Sequence, residues 1–459
     1  MKDLRVYTLE NMAPEVKAVC FAKCSRSSES FQEIADELTE SKSSKFHEKW
    51  VVGYGHSSVA EHAVLSIAVE NISMVATKII ENNRLSSFTE KSSRYQIFDK
   101  TKYLKPKKIL ESEFGDDYVL IMDELFDFYE KITPVVKEYV TKNNPKEPGV
   151  PDKAYETMIK GKYCDIVRYL IPLSAQTNLG WTVNARNLEY ALRKMYSHPL
   201  EEARRLAELI KTAALHATPT LIKYADFNKY LAETPLDLHQ AIKKVFPQKP
   251  GEKIKRVKLV ECDKNALEKI VSALIYKNSN KSYQEVKNTV KKMPEKAKEK
   301  IIDMALVKMG NFDWPVRELE YADYTFDMCA DWGALGKDIQ RHRICTQSSQ
   351  LLTTELGYKM PEEIRTLKLD KDWEEIMQKI DDLYRRMSKK FPYEAQYVTT
   401  HGHRCRMLIK MNLREAHHLI KLRSGKHGHI SYRRLAQEMW QEINRVHPAL
   451  AKYIRVDKS

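Results

Sequence analysis

An internal repeat constrains this chain more than any other feature, because two related copies of a sequence adopt two copies of one fold. The segment Ser431–Ala436 echoes the segment Glu202–Ala207, which lies 229 positions earlier. Nearer the middle of the chain, residues 320–343 fall on residues 61–84 at an offset of 259. The matches keep their order while the offsets drift, which is typical of an old tandem duplication. We therefore expect the 459 residues to form two related domains.

The boundary between the two repeats is predicted from a change in composition. Residues 231–257 carry three prolines, a glycine and a run of basic residues, which is typical of a linker. We therefore assign repeat one to residues 1–230 and repeat two to residues 258–459. The basic cluster Lys253–Lys258 is compatible with a nucleic-acid patch, but a solvated connector is the favoured interpretation.

Apolar periodicity predicts an α+β fold in which helix predominates. In residues 59–83 and 184–213, apolar side chains recur at three- and four-residue steps, with an interruption at Pro199. The short apolar segments Tyr118–Ile121 and Tyr169–Pro172 are candidate strands.

Charge and composition restrict the partners and the compartment. Lys and Arg number 77 against 63 Asp and Glu, and the resulting net charge of +14 favours anionic partners. No apolar run reaches the length of about 18 residues that a membrane span requires, and the N-terminus has no apolar region. We therefore expect no membrane partner and a cytoplasmic location. The seven scattered cysteines contain no CxxC pair, which favours reduced thiols.

Repeat two carries a dense group of basic, imidazole and amide side chains. If residues 412–423 form one helix, Arg414 and His418 lie four residues apart on one face. Guanidinium groups suit phosphate, and imidazole or amide groups recognise ring edges. The group indicates a site for a phosphorylated heterocycle, and its members are Arg341, His342, Arg343, Asn412, Arg414, His418, Leu422, Arg423 and His427.

The many histidines near the C-terminus do not predict a metal site. Six of the 14 lie between His401 and His429, mostly as adjacent or nearly adjacent pairs. Cys405 is the only nearby thiol and no HExxH motif is present, so the ligand spacing of common zinc sites is missing.

Repeat one contributes a different polar set, in residues 55–62 and 84–95. Ser92, Arg94 and nearby backbone amides can surround a phosphate, and Glu90 can accept from a donor on a ligand. A capped polar junction between a helix and a loop explains the same residues, because Ser or Thr followed by Glu also caps helices. The residues alone leave both interpretations open.

The two sets together resemble the flavin-dependent thymidylate synthases of the ThyX family. That family's signature is Arg-His-Arg, two residues, Ser, one residue, Asn-Glu, one residue, Ser, one residue, Arg-Tyr. Repeat one has Asn82-Asn83-Arg84 at its start and then keeps the remainder as Ser87, Glu90, Ser92, Arg94 and Tyr95. Repeat two keeps Arg341-His342-Arg343 and then departs, with Thr346, Ser349 and Leu351 at the later positions. Each repeat lacks what the other retains.

The resemblance implies one composite site made from both repeats, because sites in this family form between subunits. The implied flavin contacts are Ser58 and Glu61 of repeat one, with His342, Arg343, Asn412, Arg414, His418, Leu422 and His427 of repeat two. The implied nucleotide contacts are Glu90, Ser92, Arg94 and Arg168 of repeat one, with Asp338, Arg341 and Arg423 of repeat two. The catalytic candidates, which would neutralise phosphate and polarise the pyrimidine, are Arg94, Arg168, Arg341 and Arg423.

The resemblance also implies the reaction and the assembly. FAD would be the cofactor, and dUMP would be converted to dTMP with methylenetetrahydrofolate and NADPH as co-substrates. Each repeat would contain a small antiparallel sheet packed by helices, and two fused chains would form a homodimer that reproduces the family's tetramer as a pseudo-tetramer.

Two departures from the family's pattern leave other functions open. Asp338 stands where the family usually has glutamine, and His418 replaces an asparagine. A related flavoenzyme acting on another pyrimidine nucleotide is therefore an alternative. A non-catalytic nucleotide- or RNA-binding descendant is a third, although retention of the whole complementary set argues against it.

Overall fold

The computed structural model describes residues 4–38, 40–53, 57–246 and 255–459. The described chain is mainly helical and contains a small antiparallel sheet in each repeat, which confirms the α+β fold class. None of the described helices is both long and apolar enough to span a membrane. All seven cysteines are free.

Repeat one surrounds a three-stranded sheet with helices. Its strands are β1 (Val64–Ser73), β2 (Ser86–Glu90) and β3 (Gln176–Asn184), in the order β1-β3-β2. Its helices are α1 (Pro14–Cys24), α2 (Phe31–Glu37), α3 (Glu40–Phe46), α4 (Met74–Glu81), α5 (Lys107–Leu110), α6 (Gly115–Asn143), α7 (Asp152–Val167), α8 (Ala185–Tyr196) and α9 (Glu201–Leu215). A π-helical turn (His47–Gly53) and 3-10 turns (Ser57–His62 and Arg168–Leu170) complete it.

Helix α10 (Lys229–Val245) follows repeat one and covers much of the predicted connector, while residues 247–254 lie outside the described chain. Repeat two then contains the strands β4 (Val257–Cys262), β5 (Asp323–Asp331), β6 (Thr346–Ser349) and β7 (Arg404–Asn412), in the order β4-β5-β7-β6. Its helices are α11 (Ala266–Lys277), α12 (Tyr283–Lys292), α13 (Glu295–Leu306), α14 (Trp332–Ala334), α15 (Glu362–Thr366), α16 (Asp370–Lys390), α17 (Leu413–Ser424), α18 (Ile430–Val446) and α19 (Pro448–Ala451). Its single turns are π-helical (Leu335–Ile339) and 3-10 (Arg317–Tyr321 and Glu394–Val398).

The same strand-to-helix turn occurs in both sheets. Asn184 ends β3 and accepts a hydrogen bond from the Asn187 amide at 3.0 Å, which caps α8. Asn412 ends β7 and accepts one from the Glu415 amide at 2.9 Å, which caps α17. An asparagine side chain stabilises a helix start because it satisfies an otherwise unpaired amide. The cap fixes where α17 begins and therefore which of its side chains face the site.

Several sequence-based expectations are confirmed and three are wrong. Residues 413–424 form one helix, and the helices α8 and α9 are separated near Pro199. The segment 64–73, expected to be helical, is strand β1, and the expected strand Tyr118–Ile121 lies inside α6. Short apolar runs do not by themselves distinguish a strand from a segment of a helix.

The expected strand Tyr169–Pro172 is likewise not a strand. The 3-10 turn that begins at Arg168 continues to Leu170, and Pro172 makes only an isolated bridge to Thr400. The segment therefore meets repeat two through a bridge instead of joining a sheet.

The two repeats share one hydrophobic core. The largest buried cluster joins side chains of both, and the rings of Phe128 and Trp373 meet edge to face at 6.3 Å. Backbone bonds cross the junction as well: the Leu173 amide donates to Thr399 O at 2.8 Å, and the Gly402 amide donates to Tyr169 O at 2.9 Å. Such buried contacts stabilise the relative placement of the repeats.

We predict that Gly402→Ala loosens this junction. A Cβ atom at Gly402 would lie 2.9 Å from the backbone oxygen of Tyr169, which cannot move without shifting repeat one. The free energy of unfolding should fall by about 1–3 kcal/mol, measured by urea denaturation. Gly180→Ala is the control, because its Cβ would meet Thr89 O at an ordinary 3.7 Å. Equal losses from both variants would contradict the packing described here.

Candidate functional site

A buried carboxylate of repeat one binds two cations of repeat two. Glu90, at the end of β2, has a side chain only 1% exposed. It accepts a hydrogen bond from Lys337 Nζ at 2.6 Å and pairs with Arg341 Nη2 at 3.3 Å. Because a buried charge is stable only when it is paired, these contacts hold the polar loop of repeat one against repeat two. The polar loop of repeat one therefore meets the Arg-His-Arg segment within a single chain.

Arg168 is a buried arginine of repeat one with two side-chain nitrogens that make no hydrogen bond among the described residues. Its side chain is 1% exposed, and its Nε and Nη2 have no hydrogen-bond partner among the described residues. A Cβ at Gly333 would approach Arg168 Nη2 to 2.7 Å, so glycine leaves room for the guanidinium. Buried donors are almost always satisfied in folded proteins, so an unsatisfied pair indicates a position for an acceptor on a ligand.

Asp338 lies between two of the predicted nucleotide arginines. One carboxylate oxygen is 3.9 Å from Arg168 Nη2, and the other is 3.6 Å from Arg423 Nη1. Asp338 Oδ2 is itself buried without a hydrogen bond. The carboxylate partly neutralises two guanidinium groups that would otherwise repel each other. A ligand that contacts either arginine will also meet this acidic group.

His342 connects Arg423 to a buried glutamate. Arg423 Nε donates to His342 Nε2 at 2.9 Å, and His342 Nδ1 lies 2.9 Å from Glu415 Oε1. Since Arg423 can only donate, Nε2 must accept, and the ring proton is on Nδ1 and donated to Glu415. Burial lowers the pKa of His342 below its usual value of 6.5, and Arg423 and His418 lower it further, while Glu415 opposes the shift. The neutral ring orients Arg423.

Arg94 is held at the edge of the site. Its Nε and Nη2 donate to the two carboxylate oxygens of Asp165 at 2.7 and 2.8 Å. Its Nη1 donates to His427 O and Tyr432 Oη, both at 3.2 Å. The Arg94 amide donates to Ser92 Oγ at 3.2 Å. The loop is therefore a pre-formed turn whose side chains are fixed by both repeats.

The predicted flavin residues of repeat two line one side of α17. Arg414 donates to Pro315 O at 2.9 Å and pairs with Glu320 at 3.0 Å. The His418 ring stacks on Trp314 with 4.9 Å between ring centres. Leu422 is 54% exposed one turn further on. This face presents apolar, aromatic and basic groups to the surroundings.

Two more of these predicted residues lie outside α17. The Arg343 guanidinium lies 5.3 Å from the ring centre of Phe88 in β2. His427 is exposed just beyond α17, in the turn that precedes α18. Arg343 therefore contacts repeat one.

The structure does not bring the predicted repeat-one flavin residues to α17. Ser58 and Glu61 lie in the 3-10 turn Ser57–His62, where Glu61 pairs with Arg186 of α8. Among the residues described, no ion pair or hydrogen bond links either to the repeat-two helix. The remaining part of that motif, Gly55 and His56, lies outside the described residues.

Sequence reasoning missed several residues that orient the site. Lys337 was visible as a repeat match to Lys78, and Glu415 stands three residues after the capping Asn412. Asp165 precedes Arg168 by three residues on α7. Glu81 was not signalled: burial, with Glu90 nearby, raises its pKa to about 7. Within the described ranges, no three His, Cys, Asp or Glu side chains form a group that could hold a metal ion.

Comparisons with known proteins agree with the two-repeat pattern. A family model described as thymidylate synthase complementing protein matches residues 8–220 and 258–449. A UPF0159 protein of Chlamydia muridarum is 32% identical, over 99% of this chain and 92% of its own. A flavin-dependent thymidylate synthase of Clostridium tetani is 27% identical, over 46% of this chain and 82% of its own.

A solved structure of flavin-dependent thymidylate synthase ThyX from Helicobacter pylori, complexed with FAD and dUMP, is 18% identical. It covers 47% of this chain and 96% of its own, with a TM-score of 0.32. A score this low supports no argument about this chain.

We predict that His342 is neutral at pH 6.5 and that Arg423→Gln raises its pKa, because the variant removes a neighbouring positive charge. ¹⁵N NMR of histidine-labelled protein measures this, with the His342 signal assigned by its loss in His342→Gln. Arg434→Gln, which removes an exposed arginine from α18, should leave the titration unchanged. A His342 that is mostly protonated at pH 6.5 would contradict the hydrogen-bond assignment.

Proposed function

Since this chain belongs to the thymidylate synthase complementing protein family, we propose that it is an FAD-dependent enzyme that converts dUMP to dTMP. Methylenetetrahydrofolate and NADPH are the co-substrates in this proposal. Residues 1–230 and 258–459 are the two domains, joined by residues 231–257, and the active site is a composite of both.

The observation that carries the proposal is the buried, unsatisfied guanidinium of Arg168 beside cations of repeat two. Arg168 of repeat one and Arg423 of repeat two lie on opposite sides of Asp338. Arg341 joins the same cluster through Glu90. The Arg168 side chain is 1% exposed, that of Arg423 14% and that of Arg341 38%, so the cluster extends from the interior to the surface. Guanidinium groups held close together bind an anion strongly and favour negative charge that develops on it. A nucleotide supplies both the phosphate and the ring acceptors that such a cluster needs.

In this proposal the individual residues have the following roles. Ser92 and Arg94 form the turn that receives the phosphate, and Glu90 accepts from a donor on the nucleotide. Arg168, Arg341 and Arg423 polarise the pyrimidine, which increases its susceptibility to attack at the ring. Asp165 and His342 keep two of these arginines in place through the hydrogen bonds described above.

The face of α17 suits a flavin. Arg343, Arg414 and His427 provide donors for a diphosphate, and His418 with Leu422 provides an aromatic and apolar surface for a planar ring. Asn412 completes this set. When bound, the flavin supplies the hydride for the reaction, and the chain's own residues bind and orient it.

Asp338 favours a second candidate, a related enzyme acting on another pyrimidine nucleotide. A carboxylate accepts hydrogen bonds where an amide both donates and accepts, so it can select a base that presents an amino group. His418 is the second departure that motivates this alternative.

The reaction is tested by tritium release. We expect purified protein to bind FAD and to release tritium from dUMP labelled at carbon 5 when methylenetetrahydrofolate and NADPH are present. A protein that takes up no FAD contradicts both candidates. Flavin reduction without tritium release rejects the thymidylate assignment and leaves the second candidate.

Paired arginine variants test the composite site in the same assay. Arg168→Ala and Arg423→Ala should each weaken dUMP binding about 10- to 100-fold, through loss of a charged hydrogen bond worth roughly 1.5–3 kcal/mol. Arg193→Ala is the matched control, because Arg193 pairs with Glu189 on the surface of α8. Arg168→Lys keeps the buried positive charge. It therefore shows whether a loss of binding in Arg168→Ala comes from the missing guanidinium or from a folding defect. An equal effect from Arg193→Ala would reject the composite assignment.

We also propose that two chains form a homodimer, a pseudo-tetramer of four repeats. Within one chain Ser58 and Glu61 stay with α8 of repeat one, so a second chain would supply them to α17. Sedimentation should give twice the chain mass of 53.6 kDa. An active monomer would contradict this assembly.

A further inference from the structure

A large cleft lies between the two repeats, and Arg94 forms part of its lining. Its volume is about 1730 Å³, whereas pockets for small ligands usually measure about 300–1,000 Å³. Repeat one lines it with the end of α6 and with α7. Repeat two lines it with the last residues of β5, the first residues of β7 and one side of α18. The cleft is therefore larger than a mononucleotide needs.

Basic side chains line this cleft from several elements. They are Lys162, Lys255, Arg256, Lys359, Arg404, Arg406, Lys426 and Arg434. Two of them, Lys255 and Arg256, come from the basic connector that sequence analysis interpreted as solvated. The positive charges of the connector are thus brought beside those of both repeats.

Most of the acidic side chains in the lining already have partners. Asp165 forms a salt bridge with Arg94, and Glu438 accepts a hydrogen bond from Arg256 Nε at 3.0 Å. Glu442 accepts from Arg445 at 2.7 Å. Glu362 pairs with Arg365 at 3.3 Å, and Asp331 accepts from Ser431. Glu355 and Glu363 form no salt bridge with a described side chain.

Four lining cations have neither a salt bridge nor a side-chain hydrogen bond among the described residues, and they remain available to a ligand. They are Lys255 of the connector and, in repeat two, Lys359, Lys426 and Arg434. Lys426 directly precedes His427, whose backbone oxygen bonds Arg94. Arg434 is exposed on the first turns of α18. These positively charged side chains line the same cleft as Arg94.

Aromatic side chains accompany the basic ones. Tyr95 directly follows Arg94 and is 43% exposed, and Tyr139 lines the opposite part of the cleft on α6. A basic groove with accessible aromatic rings is the usual combination for binding a phosphate backbone with its bases unpaired.

The cleft begins where the proposed nucleotide has its phosphate. Ser92 and Arg94 receive that phosphate in the proposed function, and Arg94 is shared between the site and the cleft. We propose that the cleft holds a phosphate chain that continues from the 5′ phosphate of the bound uridine nucleotide. This inference rests on the proposed function and specifies its substrate. The chain is either the oligophosphate of a nucleoside triphosphate or the backbone of a single-stranded polynucleotide.

The experiment compares four probes on the FAD-loaded full chain. They are dUMP, dUTP, a single-stranded oligodeoxynucleotide whose 3′-terminal residue is dU, and the same oligonucleotide ending in dA. Binding is measured by fluorescence or calorimetry at several salt concentrations. We expect dUTP, the dU-ended oligonucleotide or both to bind at least tenfold more tightly than dUMP. Preference for dUTP identifies the oligophosphate source, and preference for the oligonucleotide identifies the polynucleotide source.

A triple variant tests the cleft itself. Lys359→Gln, Lys426→Gln and Arg434→Gln together should abolish the advantage of the extended probe and leave the dUMP affinity unchanged. For the oligonucleotide, the slope of log affinity against log salt should decrease in magnitude by about 2, the value expected when three single-strand phosphate contacts are lost. Lys287→Gln, Lys291→Gln and Lys292→Gln remove the same charge from α12 and are the matched control.

The outcomes separate this inference from the proposed function. If dUMP binds and reacts but no extended probe binds more tightly, the inference is wrong and the proposed function stands. Equal weakening by the α12 control would show only a general charge effect and would also overturn the inference. Binding of the dA-ended oligonucleotide as tight as that of the dU-ended one would mean that the cleft does not serve this site. Failure of dUMP itself to bind would reject both proposals.

Discussion

The buried carboxylate of Glu90 holds the two repeats together at the site. It lies at the end of β2 and accepts from Lys337 and Arg341, both of which belong to repeat two. Removing one partner of such a buried pair is costly, because the remaining charge is then desolvated without compensation. The position of the polar loop, and with it that of Ser92 and Arg94, depends on this contact across the repeat boundary.

A chain of paired charges extends from there through the rest of the site. Glu415 orients His342, His342 accepts from Arg423, and Asp338 lies between Arg423 and Arg168. Each cation is buried or nearly so, and each is balanced by a neighbour except for the free donors of Arg168. Fixed dipoles and charges of this kind cost little reorganisation when a ligand binds, which is how a rigid site stabilises charge. The site is therefore largely assembled before any ligand is present.

Much of the fold was accessible from sequence because local signals were strong. The polar side chains of residues 412–423 share one face if the segment is one helix, and Asn412 caps the helix that forms there. The error at residues 64–73 has a physical cause: the spacing of the apolar residues in this segment fits a helix as well as a strand, and pairing with β3 decided in favour of strand. Helix α10 shows that prolines in a polar segment do not exclude a helix, since Pro235 lies inside it. A short stretch of sequence does not show which strand it will pair with or which of its side chains will contact solvent.

The sequence by itself determined that the chain is duplicated, that the repeats keep complementary halves of one motif, and that its basic excess includes clustered arginines. These properties depend on residue identity and spacing, which a linear chain displays directly. Only the tertiary structure decided that the halves meet within one chain, that Arg168 Nε and Nη2 have no hydrogen-bond partner among the described residues, and that Lys337 belongs to the site. Those facts depend on burial and on contacts between residues far apart in sequence, such as Glu90 with Arg341, which are 251 positions apart, and Arg94 with Tyr432, which are 338 positions apart. Sequence spacing says nothing about such distances, because packing of the shared core sets them.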